Sequence, residues 1–210
     1  MNLELNEIPA PERYKLLTGA VVPRPIAWVS TMDREGNLTV APFSFFNAVC
    51  SDPMTLMFCV SDHDNPAGKA TVRNIAAIGQ FVINLSNESS AAAMNLTATP
   101  LPDGESKFDW AGITATPSKT IKVPRVTEAP IAFECRLHQL LKIGTSDSSS
   151  GTTVVFGEVQ GIYVRDDLYD SGRILLEAYQ PIGRLGGNSY TRVTDTFEMV
   201  RVSTPSHNRD

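Results

Sequence analysis

Short runs of apolar and β-branched residues alternate along this chain with turn-forming clusters, and only a few stretches carry helical spacing. Ile26–Thr31 is strand-like, Asp33-Arg34-Glu35-Gly36-Asn37 is turn chemistry, and Leu38–Ala41 begins a second strand, so the unit reads as a β-hairpin. Pro42 lacks the N–H that a sheet ladder needs, which puts it at an edge or a bulge. Met54–Val60 is a continuous apolar run of strand length, read as buried on both faces. Phe81–Leu85, Pro130–Ile143, Thr152–Val164 and Thr196–Val202 are also strand-rich. Helical stretches are Pro11–Gly19, residues 67–78 and Ser89–Ala98. In the second, Asn65 is the candidate cap, Gly79 is the stop, and the helix start is placed as late as Thr71. Between Thr99 and Thr120 the pattern dissolves into a surface excursion, anchored by Phe108 and Trp110 or projecting them onto a neighbouring subunit. Gly144–Gly151 reads as a flexible hairpin loop. Many short strands with few helices predict a closed β structure with helical additions.

Composition adds exclusions. Hydrophobic residues make up 42% and charged residues 20% of 210, suited to one globular domain, taken as 1–202 with a polar tail over 203–210. A net charge of −5 argues against a nucleic-acid footprint. No apolar run reaches the roughly 20 residues that span a bilayer, and the N-terminal stretch lacks the pattern of a secretory signal. Cys50, Cys59 and Cys135 form no CxxC pair, which fits a reducing cytoplasm. Cys50 lies close to the central hairpin, with nothing nearby in sequence that would make it a redox thiol. His63, His138 and His207 have no metal-ligand spacing.

Two segments carry candidate chemistry. Phe43-Ser44-Phe45-Phe46-Asn47 sets three rings beside a hydroxyl and an amide, where backbone leaving the ladder frees N–H groups for a flat, partly polar heterocycle. Its plain alternative is a core hairpin with a proline-ended edge. Asn65–Asn74 brings Lys69 and Thr71 to a helix start, which suits either a phosphate or a charged cap. A third segment, Pro181–Tyr190, joins three glycines to Arg184 and Tyr190, without the spacing of a dinucleotide fingerprint.

Read together, RPIAWVSTMDREGNLTVAPFSFFN from Arg24, Asp52-Pro53, Phe58-Cys59-Val60-Ser61, Lys69-Ala70-Thr71 with Asn74-Ile75, and Gly79–Asn84 form an ordered series. It continues through Ser106–Asp109 with Ala111-Gly112, Glu134-Cys135, and Pro181–Gly187 with Tyr190. This series resembles the flavin reductase-like family. The resemblance implies a mainly β fold, an FMN-binding split β-barrel: a closed antiparallel barrel with short helices, working as a homodimer. It also implies FMN as cofactor and NADH or NADPH as hydride donor. By the same resemblance the flavin ring and ribityl chain lie against Ser30, Thr31, Ala41, Pro42, Phe43, Ser44, Phe45 and Asn47. The phosphate lies near Lys69 and Thr71, Ser61 is a further cofactor-binding residue, and Arg184 or Tyr190 stands by the flavin or a bound dinucleotide. Ala70 stands where the family usually has aspartate, so one hydrogen bond at that position is missing. The rival expectations are an FMN-holding electron carrier without efficient nicotinamide turnover, and a silent barrel that binds no flavin.

Overall fold

The computed structural model describes residues 1–61, 66–102, 105–144 and 151–201, with backbone alone for 66–69. Asn65, His63, His207, most of the Gly144–Gly151 loop and the 203–210 tail therefore lie outside the described residues. The chain opens with α1 (Ala10–Ala20), then the hairpin β1 (Ala27–Met32) and β2 (Leu38–Phe43). In its turn, Asp33 Oδ1 accepts the N–H groups of Glu35 and Asn37 at 3.0 and 2.8 Å, an aspartate turn that fixes the register. A second hairpin, β3 (Phe46–Ser51) and β4 (Met54–Ser61), leads to α2 (Pro66–Ile78), which Gly79 ends at φ 71°. There follow β5 (Gln80–Leu85), α3 (Ala91–Leu96), α4 (Lys107–Ala111) and the short pair β6 (Ala115–Thr116) and β7 (Arg125–Val126). Two 13-residue strands, β8 (Ile131–Ile143) and β9 (Thr152–Val164), form a long hairpin. The chain ends with the pair β10 (Tyr169–Asp170) and β11 (Arg173–Ile174), α5 (Leu176–Tyr179), and the pair β12 (Ile182–Arg184) and β13 (Tyr190–Arg192).

The seven long strands form one antiparallel sheet in the order β2-β1-β5-β8-β9-β4-β3. Its two edge strands, β2 and β3, are consecutive in the chain, so the sheet curls until its edges are separated only by Ser44-Phe45. At that corner Cys59 N–H donates to Phe45 O at 2.8 Å, continuing the β3–β4 ladder, and across the seam the rings of Phe43 and Phe58 stand 5.2 Å apart. The expected closed barrel is thus not formed among the described residues. Pro42 gives β2 no donor at that edge, and the chain turns straight from β2 into β3 instead of pairing with it.

Alternation then sorts the side chains. Inside the curl, Ala27 and Val29 of β1, Ala41 and Phe43 of β2, and Phe58, Phe81 and Ile83 form a core that Ile75 of α2 closes. Outside it, Trp28, Val40 and Ile26 pack against Met94 of α3 and Phe108 of α4. Phe108 is therefore an anchor of the excursion, whereas Trp110 is 52% exposed. Trp28 Nε1 donates to Thr97 Oγ1 at 2.9 Å, and Lys107 Nζ donates to the Thr97 carbonyl at 2.6 Å. Burial of Lys107 pushes its pKa down to about 8. Glu134 is also buried; its burial alone would raise the carboxyl, but hydrogen bonds from Thr120 and Lys119, with Arg125 nearby, outweigh that and hold it low.

Two expectations change further. Helix α2 starts at Pro66, the favoured first helical position, so Thr71 lies inside the helix rather than at its N-terminus. Residues 196–201 form no strand: among the described residues no sheet edge meets them, and Phe197, Met199 and Val200 stand exposed. Residue 202 lies outside the described residues.

Two outcomes follow for stability. A Cβ built on Gly157 would sit 2.4 Å from Cζ of the fully buried Phe81 ring. Gly157→Ala should therefore cost about 1–3 kcal/mol in urea unfolding, and an unchanged midpoint would show that the interior has room to give. For Lys107, both states are protonated below pH 8 and the folded state carries the full cost of a buried ammonium. Between about 8 and 10.5 the folded protein has released its proton while the unfolded chain still holds it, so stability rises with pH. The stability difference between wild type and Lys107→Met should move in favour of wild type by about 2–3 kcal/mol over that window; a constant difference would refute the assignment.

Candidate functional site

The chain before β1 prepares the site. Arg24 sits between two prolines and pairs with Arg184 of β12 as an antiparallel bridge, each N–H donating to the other's carbonyl at 3.0 and 2.8 Å. This ties the β12–β13 hairpin to the start of β1. The Arg24 side chain is only 6% exposed, and its partners are all uncharged. Nη1 donates to the carbonyls of Thr18 and Val21 at 2.7 and 2.6 Å, Nη2 to that of Leu185 at 3.0 Å, and Nε to Ser44 Oγ at 3.4 Å. One guanidinium thus joins the end of α1, the β12–β13 hairpin and the corner between β2 and β3. Its carbon also stands 5.8 Å from the centre of the Phe45 ring.

Beside this junction lies a cleft of about 270 Å³. Tyr14 and Thr18 of α1, Asn95 of α3, and Arg184 with Tyr190 line it, together with Arg24, Pro42 and Ser44. The Arg184 guanidinium lies 4.5 Å over the Tyr190 ring and donates to Gly187 O at 2.5 Å, and Tyr190 Oη donates to Asn95 Oδ1 at 3.1 Å. Among the described residues Arg184 is therefore stacked on an aromatic ring and makes no ion pair.

The sequence-derived residues divide between two faces. Pro42, Ser44 and Arg184 line the cleft, and the half-buried Phe45 lies at the corner beside it. Asn47, one strand position further, is exposed, with its Oδ1 accepting from Ala48 N–H at 2.8 Å. Ala41 and Phe43 point into the curl, into the core that α2 closes. Ser30 and Thr31 are fully buried. Ser30 Oγ donates to Pro124 O at 2.8 Å and Thr31 Oγ1 accepts from Asn74 Nδ2 at 3.2 Å. Thr71 is fully buried in α2, Ser61 is exposed at the end of β4, and the Lys69 side chain lies outside the described residues.

Arg24, Tyr14, Thr18 and Asn95 join the cleft without having been singled out as site residues. The only local signal for any of them was the arginine flanked by Pro23 and Pro25. Among the described residues no group of histidine, cysteine or acidic side chains is arranged to hold a metal, and no helix is long and apolar enough to cross a membrane.

Comparison with known proteins decides the family. Residues 19–181 match the flavin reductase like domain. The chain belongs to the flavin reductase-like family. Within it, nitrilotriacetate monooxygenase component B from Bacillus cereus superposes with a TM-score of 0.89 at 38% identity, over 95% of this chain and 98% of that one. The 2-nitrobenzoate 2-nitroreductase NbaA of Pseudomonas fluorescens gives 0.83 at 36% identity, over 99% and 98%. A protein with a split barrel domain from Shewanella frigidimarina shares the fold at a TM-score of 0.83 and 20% identity, over 97% of this chain and 100% of that one.

Removing the Arg24 side chain would leave the buried carbonyl of Thr18 and the part-buried carbonyls of Val21 and Leu185 without this donor. Arg24→Leu should lower stability by about 3 kcal/mol or more and make the chain near Leu185 an early site of limited proteolysis. Wild-type stability and a wild-type cleavage pattern would show that water replaces the guanidinium freely.

Proposed function

We propose that this chain binds FMN and passes hydride from NADH or NADPH to it, acting as a flavin reductase. The observation that carries this reading is the corner between β2 and β3. There the two sheet edges meet, and Ser44, the half-buried rings of Phe45 and Phe46, and the exposed Asn47 are displayed together. A hydroxyl, an amide and apolar rings at an unpaired edge fit a flat heterocycle with polar margins. Bound FMN would supply the hydride chemistry itself.

The protein's part is to bind and orient. Ser44 and Asn47 offer hydrogen bonds to the polar margin of the ring, and Phe45 and Phe46 cover its apolar part. Ser61 and Lys69, at the end of β4 and in the first turn of α2, are assigned to the phosphate, where unpaired helix N–H groups favour an anion. Ser30, Thr31, Ala41, Phe43 and Thr71, whose side chains are buried, are assigned to the flavin through the strands and helix they hold in place. The relatives support a redox role, since one bears the name of a monooxygenase component and another that of a nitroreductase.

A second copy of the chain completes the picture. Strand β3 is an edge whose residues Asn47 to Ser51 are exposed, with Val49 at 51%, and Phe197, Met199 and Val200 extend uncovered. Such surface calls for a partner, and a homodimer supplies one.

Three measurements test this. Lys69→Ala should weaken FMN about 10- to 100-fold, as for a lost charge-assisted hydrogen bond, and leave riboflavin unaffected. Equal losses for both ligands would remove Lys69 from the phosphate. Anaerobic stopped-flow mixing with NADH or NADPH should bleach the bound flavin, with a primary isotope effect from deuterated donor if hydride transfer limits the rate. FMN binding without reduction by either nucleotide would favour the electron-carrier reading. Sedimentation at low micromolar concentration should show one dimeric species, and an FMN-retaining monomer would defeat the dimer.

A further inference from the structure

We propose that the cleft at Arg24 and Arg184 is a subsite for the oxyanion of a second small molecule, a carboxylate or a phosphate, separate from the site of the flavin's own phosphate. The proposal rests on the flavin reading above and adds to it the chemical class of the molecule that meets the flavin.

Charge is the first argument. Among the described residues two guanidiniums line the cleft and no carboxylate does. Buried charges are ordinarily paired, because removing an ion from water costs several kcal/mol. The partners of Arg24 are three carbonyls and a hydroxyl, which solvate its charge without neutralising it. Its neighbour makes the imbalance larger. Arg24 and Arg184 exchange both backbone hydrogen bonds of an antiparallel pair, so they stand directly opposite one another. Residues so placed present their side chains to the same face, and like charges there are destabilising. An anion bound between them turns that repulsion into attraction.

Donor geometry is the second argument. Arg184 is held by its stack on Tyr190 and by one bond to Gly187 O. Its remaining N–H groups have no acceptor among the described residues, and a fixed guanidinium with free donors is suited to bidentate recognition of a planar oxyanion. The cleft's 270 Å³ accommodates a single-ring acid, or one phosphate with its sugar, but not a whole dinucleotide.

Position is the third. Alternation along β2 puts Pro42 in the cleft on the outer face, whereas Ala41 and Phe43 face the inner core that α2 closes. The cleft and the α2 N-terminus are thus on opposite faces of a sheet layer. Ser44 borders both places: it accepts from Arg24 in the cleft and belongs to the flavin corner. A molecule anchored by its anion in the cleft would therefore have its other end directed to that corner.

The test is calorimetric titration of the protein, with and without FMN, using sodium benzoate, adenosine monophosphate and FMN as separate probes. Wild type, Arg184→Gln and Arg184→Lys are compared; Arg24 is left intact because its loss threatens the fold. Benzoate or the nucleotide should bind wild type, weaken about 10- to 100-fold in Arg184→Gln, and recover in part in Arg184→Lys. FMN affinity should stay within about twofold. Binding of benzoate alone identifies an organic acid as the source of the oxyanion, and binding of the nucleotide alone identifies a nucleotide phosphate. Binding of neither probe overturns the subsite, as does a loss of FMN affinity parallel to that of the other probes. If wild type binds a probe but not FMN, the flavin reading fails and the oxyanion subsite stands.

Discussion

Strand β1 has no outside. From Ala27 to Thr31 every residue is fully buried, so side chains pointing both ways along the pleat must find apolar or hydrogen-bonded partners. This single constraint shapes the rest. Toward the inner face, Ala27 and Val29 require the curled sheet and α2; toward the outer face, Trp28 requires α3 and α4. The polar groups that this burial traps are satisfied locally. Asn84, paired opposite Trp28 on β5, donates to the Trp28 carbonyl at 2.8 Å and to Ser30 Oγ at 3.2 Å, and accepts from Val126 N–H at 2.8 Å. Unpaired, those groups would each cost about 1–3 kcal/mol.

Much of the architecture was legible because its signals are local. The apolar run of β1, the turn at Asp33–Asn37 and the Gly79 stop announce their own elements, and the bounds of β8 and β9 follow from long strand-like stretches around a polar loop. Closure of the sheet was not legible, since it depends on whether two distant edges pair, and a proline with a two-residue corner decided against it. The segment around Phe197 shows the converse: β-favouring residues make a strand only where a neighbouring strand accepts their backbone.

The site was legible to a different degree on its two sides. Ser44, Phe45 and Asn47 are close in sequence and carry recognisable chemistry. Tyr14, Arg24, Asn95, Arg184 and Tyr190 come from four separate parts of the chain, and only folding brings them to one cleft. No spacing rule finds such a group. Ser30, Thr31 and Thr71 enter the candidate site through the family resemblance, and all three are fully buried. The structure gives Ser30 and Thr31 partners inside the protein.

Apart from its bond to Ser44 Oγ and its contact with the Phe45 ring, Arg24 addresses the main chain of its neighbours. A carbonyl oxygen is present whichever amino acid occupies the position, so Thr18, Val21 and Leu185 can be exchanged for other residues without cancelling the bonds they accept. The arginine has no such freedom, because no other side chain offers donors in three directions from a rigid plane. Mutational tolerance at this junction is therefore lopsided: the periphery can drift while one position stays fixed. A protein lineage built this way can vary the helix and hairpin around the cleft, and with them the molecules it admits, while keeping the same joint.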